Sequence, residues 1–246
     1  PEGIDADLWP EEDDFVQSDL ANMKIVRSVL IKQMKRIEQE LFREDHNNEL
    51  AGIQTLIARK GKIVHFKSTG YRDFENKKKI EKDTIFRIYS MTKPVTSVAL
   101  MQLFEQGLFQ LADPVSKFLP EFKNPKVFVS GSYPHFMTRP ADREISIRDL
   151  LTHTAGLTYG FHYRTNIDHA YRKVWSGPKG DNTDFSFPPL NLDNFSKSIA
   201  NLPLEFSPGD KWNYSVATDI CGRLIEVLSD MTLDEYFKKY IFKIPI

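Results

Sequence analysis

Ser90-Met91-Thr92-Lys93 sets a hydroxyl and an amine three residues apart, a spacing that brings both side chains to one face once the segment is helical. The run from Met91 to Gln106 carries Val95, Val98, Ala99, Leu100, Met101, Leu103 and Phe104 with little polar face, which predicts a buried helix ended by Gly107. Lys93 then falls in its first turn, where desolvation and the positive helix end disfavour an ammonium. A neutral amine there would accept the Ser90 proton and leave an activated nucleophile. A chain of this composition contains one or two Ser-x-x-Lys matches by chance. A second one, Ser176 to Lys179, holds Gly177-Pro178, which cannot continue a helix, so its Ser and Lys have no reason to meet. Pro94, by contrast, is tolerated in a first turn. Tyr214 stands just ahead of another periodic run, placed either to relay a proton into the Ser/Lys pair or to fill a core. His153, at a helix end beside Thr154-Ala155-Gly156, has the context of a ring that bonds a carbonyl and orders a loop. His162 and His169 lack companions at metal-ligand spacing, and no metal site is expected. Gly-x-Ser-x-Gly, Walker and dinucleotide glycine patterns are absent from the sequence.

The elements that must position these groups follow from periodicity. Phe15, Leu20, Met23, Val26, Leu30, Met34, Ile37 and Leu41 predict an amphipathic helix over Phe15–Phe42. Ala51 to Arg59 and Lys62 to Phe66, joined by Lys60-Gly61, predict a β-hairpin, and Lys77-Lys78-Lys79 a solvated loop. Asp113-Pro114 leads into a short helix, Asn124 to Asp142 reads as irregular, and Ser146 caps a helix over Ile147–Thr152. The stretch from Tyr159 to Phe195 is too long and too aromatic for an idle connection. Val216, Ile220, Leu224, Ile225 and Leu228 predict one more helix, and Thr232 starts a last one over Leu233–Phe242.

Composition narrows the function classes. Among 246 residues, Lys+Arg number 33 and Asp+Glu 34, which leaves no cationic surplus for a phosphate backbone, so no nucleic-acid partner is expected. Cys221 is the sole cysteine and forms no internal disulfide. No apolar run approaches the roughly 20 residues of a membrane span, and Pro1 to Asp14 lacks a signal pattern, so a cytoplasmic protein with no membrane partner is expected.

Four segments, in order, resemble the serine β-lactamase and penicillin-binding-protein superfamily, and more closely its carboxylesterase branch, the family VIII esterases. They are Phe86 to Pro94 around Ser90 and Lys93, Leu150 to Leu157, Phe206 to Ser215 around Tyr214, and the helix Ala217 to Leu228. Four ordered matches are far harder to obtain by chance than a lone Ser-x-x-Lys. The resemblance implies an α+β, β-lactamase/transpeptidase-like fold, with helices packed on a small antiparallel sheet and a mostly helical subdomain. It also implies an organisation into an acidic tail (1–14), an N-terminal helix and hairpin (15–88), a mostly helical part with the catalytic residues (89–231) and a return toward the sheet (232–246). Ser90 is then the nucleophile, Lys93 its base partner and Tyr214 the third catalytic residue, acting on a small-molecule ester without a cofactor. Leu150 to Leu157 becomes a structural signature near the site, and His153 keeps its ordering role. Phe136, Tyr159, Phe161, Tyr163, Tyr171 and Trp175 are candidates to wall an acyl pocket, or equally to pack a helical cap.

Two departures shape the expectation. The superfamily's Tyr-x-Asn becomes Tyr214-Ser215-Val216, and Val216 at the substrate-facing position cannot give the amide hydrogen bond an asparagine offers a β-lactam. This favours simple esters over β-lactams, with transfer to a small-molecule acceptor as an alternative. The family's last motif, Lys/His-x-Gly or Trp-x-Gly after the Tyr, is missing, and Trp175-Ser176-Gly177 precedes Tyr214. In the family fold that strand supplies one oxyanion-hole N–H, whose loss typically costs ~10²–10³ in rate. The sequence therefore reads as a fragment of a longer family member or as a chain that has lost its C-terminal third. In either case a catalytically incomplete scaffold is an alternative, with an incomplete sheet whose unpaired edge would drive self-association.

Overall fold

The computed structural model describes residues 28–29, 31–36, 51–59, 62–176 and 191–242. The chain divides into two compact units, Pro1–Arg87 and Ile88–Ile246. In the first, residues 28–29 and 31–36 are helical (α1), inside the stretch expected to form the amphipathic helix; the rest of that stretch lies outside the described residues. The expected hairpin is present as β1 (Gly52–Arg59) and β2 (Lys62–Asp73), antiparallel, with Leu56 opposite Phe66 and Ile57 opposite His65. β2 runs seven residues past Phe66 and pairs with a two-residue strand, β3 (Lys78–Lys79), giving the order β1-β2-β3. Lys78 and Lys79 therefore form an exposed edge strand, while Lys77 lies in the turn before it, as expected of a loop. The ammonium groups of the strand stay in water while its backbone pairs, a residue choice that also blunts an edge.

The second unit is built on α2 (Thr92–Glu105), the helix expected from its apolar run. Only one face of it is buried, formed by Thr96, Ala99, Leu100 and Leu103, while Val98 is exposed, so the expectation of all-round burial is corrected. That face packs on α6 (Ala217–Ser229), which turns Ala217, Ile220, Cys221, Leu224 and Ile225 inward. Fully burying one such aliphatic side chain contributes roughly 1.5–3 kcal/mol.

Around this pair lie α3 (Ile147–Leu151), α4 (Asn166–Ser176), α5 (Leu192–Ala200) and α7 (Leu233–Tyr240). Ser146 and Thr232 close capping boxes with Asp149 and Glu235, as their positions in the sequence suggest. The expected short helix after Pro114 is a single 3-10 turn, Val115–Lys117. Asn124 to Asp142, expected to be irregular, instead holds a hairpin of β4 (Lys126–Ser132) and β5 (His135–Pro140). Pro134 sits in the turn and Pro140 at the strand end, where a missing N–H breaks little of the ladder. Val127 enters the core, and Leu204 holds the outer side of β4 through Phe128 N–H to Leu204 O and Leu204 N–H to Lys126 O, both 2.8 Å.

Candidate active site

The nucleophile candidate stands on a strained corner. Tyr89–Met91 forms one 3-10 turn ahead of α2, and Tyr89 has φ +47°, a left-handed conformation that costs a non-glycine residue on the order of 1–3 kcal/mol. The corner leaves Ser90 exposed at the helix start. Its Oγ receives two donors: the Tyr214 hydroxyl at 2.6 Å and the Lys93 ammonium at 3.3 Å. Lys93 Nζ also lies 4.8 Å from the Tyr214 ring centre and 5.4 Å from that of Tyr159. The structure thus brings Ser90 and Lys93 together, as their spacing suggested, and adds Tyr214, which the family resemblance had grouped with them.

Tyr214 reaches Ser90 because two distant segments run alongside each other. Glu205 N–H bonds Gly156 O (2.8 Å), Gly209 N–H bonds Thr154 O (2.8 Å), Asn213 N–H bonds His153 O (2.9 Å) and Val216 N–H bonds Thr158 O (3.3 Å). Gly156 has φ +80°, and a Cβ there would collide with the Phe206 carbonyl, so only glycine fits this close approach. The His153 ring lies 5.0 Å from the Tyr214 ring and 6.2 Å from Trp212, with Nδ1 3.3 Å from Ser215 Oγ. Burial, aided by the Lys93 charge, holds the His153 pKa below its usual value, which suits a neutral packing ring.

The electrostatics center on Lys93. Burial pushes the Tyr214 phenol up, but hydrogen bonds with Lys93 and Ser90 and the Lys93 charge outweigh it, and the group lies below the ordinary tyrosine value. The Tyr159 phenol is strongly raised by burial, with Asp219 and Tyr214 adding to it, and stays protonated. Asp219, in the first turn of α6, is pushed up to about 6 by burial, against the pull of Lys93. A lowered phenol in contact with a hydroxyl is an arrangement that can carry a proton between an attacking and a departing oxygen.

A family model described as beta-lactamase matches residues 34–244. The chain belongs to the beta-lactamase family. Protein Rv1367c of Mycobacterium tuberculosis is 37% identical over 75% of this chain and 43% of its own length. Esterase EstB of Burkholderia gladioli is 33% identical over 72% of this chain and 41% of its own. The solved structure of EstCE1, described as a hydrolase with promiscuous acyltransferase activity, matches with a TM-score of 0.69 and 28% identity, covering 88% of this chain and 51% of its own. The chain therefore falls in the serine β-lactamase and penicillin-binding-protein superfamily close to esterases, with the expected α+β fold, and it spans less than half the length of the curated relatives it matches.

Within this family frame the pocket candidates separate. Tyr159 lies 5.3 Å from Tyr214 and adjoins the Ser90 cluster, and Phe161 stacks on Tyr159 (4.6 Å, 24°) behind it. Phe136 stands elsewhere, edge-on to Phe128 at 5.7 Å, and with Phe122, Leu157 and Leu204 lines a cleft of about 400 Å³ that none of Ser90, Lys93 and Tyr214 borders. Val216 is fully buried at the start of α6, where its side chain meets the core. Tyr171 is likewise buried, while Tyr163 is exposed beneath the Arg172 guanidinium, 4.1 Å from its ring. Trp175 lies on α4, and its side chain is outside the described residues. Two neighbours escaped the sequence reading, Asp219 and the exposed Trp212 stacked on Tyr214 (6.5 Å, 28°), while His162, weighed there only as a metal ligand, donates its Nε2–H to Tyr214 O at 2.9 Å. Among the described residues no group of three His, Cys, Asp or Glu could hold a metal ion, and no helix is long and apolar enough to cross a membrane.

Proposed function

We propose that this chain carries the acylation chemistry of a serine esterase acting on short-chain carboxylic esters. The observation that carries the reading is the pair of contacts on Ser90 Oγ, 2.6 Å from Tyr214 and 3.3 Å from Lys93. In the reacting form Tyr214 is a phenolate stabilised by Lys93. Ser90 Oγ attacks the ester carbonyl carbon and its proton passes to the phenolate. The tetrahedral intermediate collapses, the C–O bond to the alcohol breaks, and Tyr214 returns the proton to the leaving oxygen. Water then attacks the Ser90 ester by the same route, releasing the carboxylic acid and the serine. Spacing and family resemblance point to Lys93 as the base; the shorter contact and lowered phenol favour Tyr214 in that role, with Lys93 as its charge partner. Tyr159 and Phe161 supply apolar surface beside the acyl group.

A second reading is acyl transfer to a small alcohol, favoured by the exposure of Ser90, which leaves the acyl group open to acceptors other than water. β-Lactam hydrolysis is less well supported, because buried Val216 stands where the family's Tyr-x-Asn has its amide. The test is p-nitrophenyl acetate and butyrate with the wild type and Ser90→Ala, following burst and steady state. Turnover lost in the variant supports the esterase; a burst alone supports acylation without deacylation. Equal background hydrolysis by both would overturn the reading, and an added alcohol that raises product release identifies the transferase.

A further inference from the structure

The residue preceding Tyr214 is buried, and both ends of its side-chain amide are hydrogen-bonded. Asn213 Oδ1 accepts from Arg164 Nη2 at 2.8 Å, and its Nδ2 donates to Leu157 O and to Glu205 Oε2, both at 2.9 Å. Its backbone N–H bonds His153 O. The other Glu205 oxygen accepts from Thr165 Oγ1 at 2.8 Å. The loop that provides Arg164 and Thr165 is itself anchored: the Asp168 carboxylate accepts from Arg164 N–H (2.8 Å), Thr165 N–H (3.2 Å) and Thr158 Oγ1 (2.7 Å). On the far side of the phenol, His162 holds Tyr214 O. The peptide on both sides of Tyr214 is thus fixed by side chains, none of which touches Ser90.

Asn213 is buried and Glu205 half-buried, while Arg164 closes the network from the exposed side, where water screens its pairing, so these bonds add little stability. What such a closed network does provide is a single geometry. Here that geometry delivers a hydroxyl across 124 residues of sequence to within 2.6 Å of Ser90 Oγ. We propose that Asn213 and Glu205 are positioning residues that hold the Tyr214 hydroxyl on Ser90. The inference rests on the reading of Tyr214 as the proton-transfer group.

The test uses the chain labelled with ζ-¹³C tyrosine, the Tyr214 signal being identified by its loss in Tyr214→Phe. In the wild type that signal is expected to titrate below the ordinary tyrosine value of about 10, because Lys93 and Ser90 contact the phenol. Asn213→Ala and Glu205→Ala are expected to return it toward that value while the signal of Tyr236, buried and influenced by Tyr240 rather than Glu205, stays in place. The p-nitrophenyl acetate burst rate should fall about 10–100-fold in both, since misplacing a proton-transfer group by about 1 Å is that costly. KM should change little, and Glu205→Gln, which keeps an oxygen toward Asn213, should restore most of the rate. An unmoved Tyr214 titration in either alanine variant overturns the proposal, as does a Glu205→Gln rate as low as that of Glu205→Ala. Should Asn213→Ala fail to fold, Glu205→Ala and Thr165→Val give the same readings. A wild type without a burst refutes the esterase reading alone, because the tyrosine titration still decides whether Asn213 and Glu205 hold the phenol.

Discussion

With a phenol 2.6 Å from the serine oxygen and Lys93 Nζ over its ring, the proposed esterase chemistry makes Tyr214 the group whose ionisation would set the rate. In the proposed mechanism acylation needs the phenolate, so the burst rate should rise with pH with a midpoint below that of free tyrosine, pH ~10. Lys93→Met removes the charge that favours the phenolate and should move this rise to higher pH; a rise unmoved in Lys93→Met would return the base role to another group. Tyr214→Phe should cost on the order of 10²–10⁴ in burst rate, the usual worth of a positioned proton-transfer group. Ser90 and Lys93 could be singled out in the sequence from their three-residue spacing at a helix start, whereas Tyr214 stood out only through the ordered family motifs around it. Glu205, His162 and Asp219 did not stand out in these roles, because each acts through a contact with no fixed spacing. Val216 shows the opposite failure: the motif aligned it with a substrate-facing residue, and the local turn buried it.

Among the elements, α3 owes its placement to one carboxylate. Asp149 takes both Arg143 nitrogens (2.6 and 2.8 Å), the Ser146 N–H and hydroxyl, and Thr154 Oγ1. Burial alone would raise its pKa, but the Arg143 and Ser146 bonds outweigh that and lower it. The folded value lies below the unfolded one, so its contribution is fully present above pH ~4 and fades as pH falls through the lowered value. Asp149→Ala should cost about 2–3 kcal/mol at neutral pH, the half-exposed Arg143 limiting the figure, and the loss should shrink in acid, as urea titrations at two pH values would record. Gly156→Ala should destabilise the chain and slow the burst together, since it drives the Phe206 carbonyl away from the segment that holds Tyr214. Caps and long periodic helices could be read in advance because their signals lie within four residues. The β4–β5 hairpin could not, since its outer partner Leu204 is far along the chain and its prolines resemble loop punctuation.

On the scale of the whole molecule, the order of the four segments carried the family assignment, while the extent of the sheet did not follow from the hairpin alone, because β3 is only two lysines long. Among the described residues β1 is a terminal strand of its sheet and presents exposed Leu56. Concentration-dependent self-association is therefore expected in sedimentation velocity, and Leu56→Lys should weaken it, as charges on an edge do. A wild type that stays monomeric across the concentration range refutes this. The long reach from Ser90 to Tyr214 also has a consequence in time. A ribosome adding ~5–20 residues per second takes roughly 6–25 s to pass from one to the other. Through that interval the nascent chain holds a serine and a lysine without the phenol between them, so the burst reports only chains synthesised at least as far as the packing of α6.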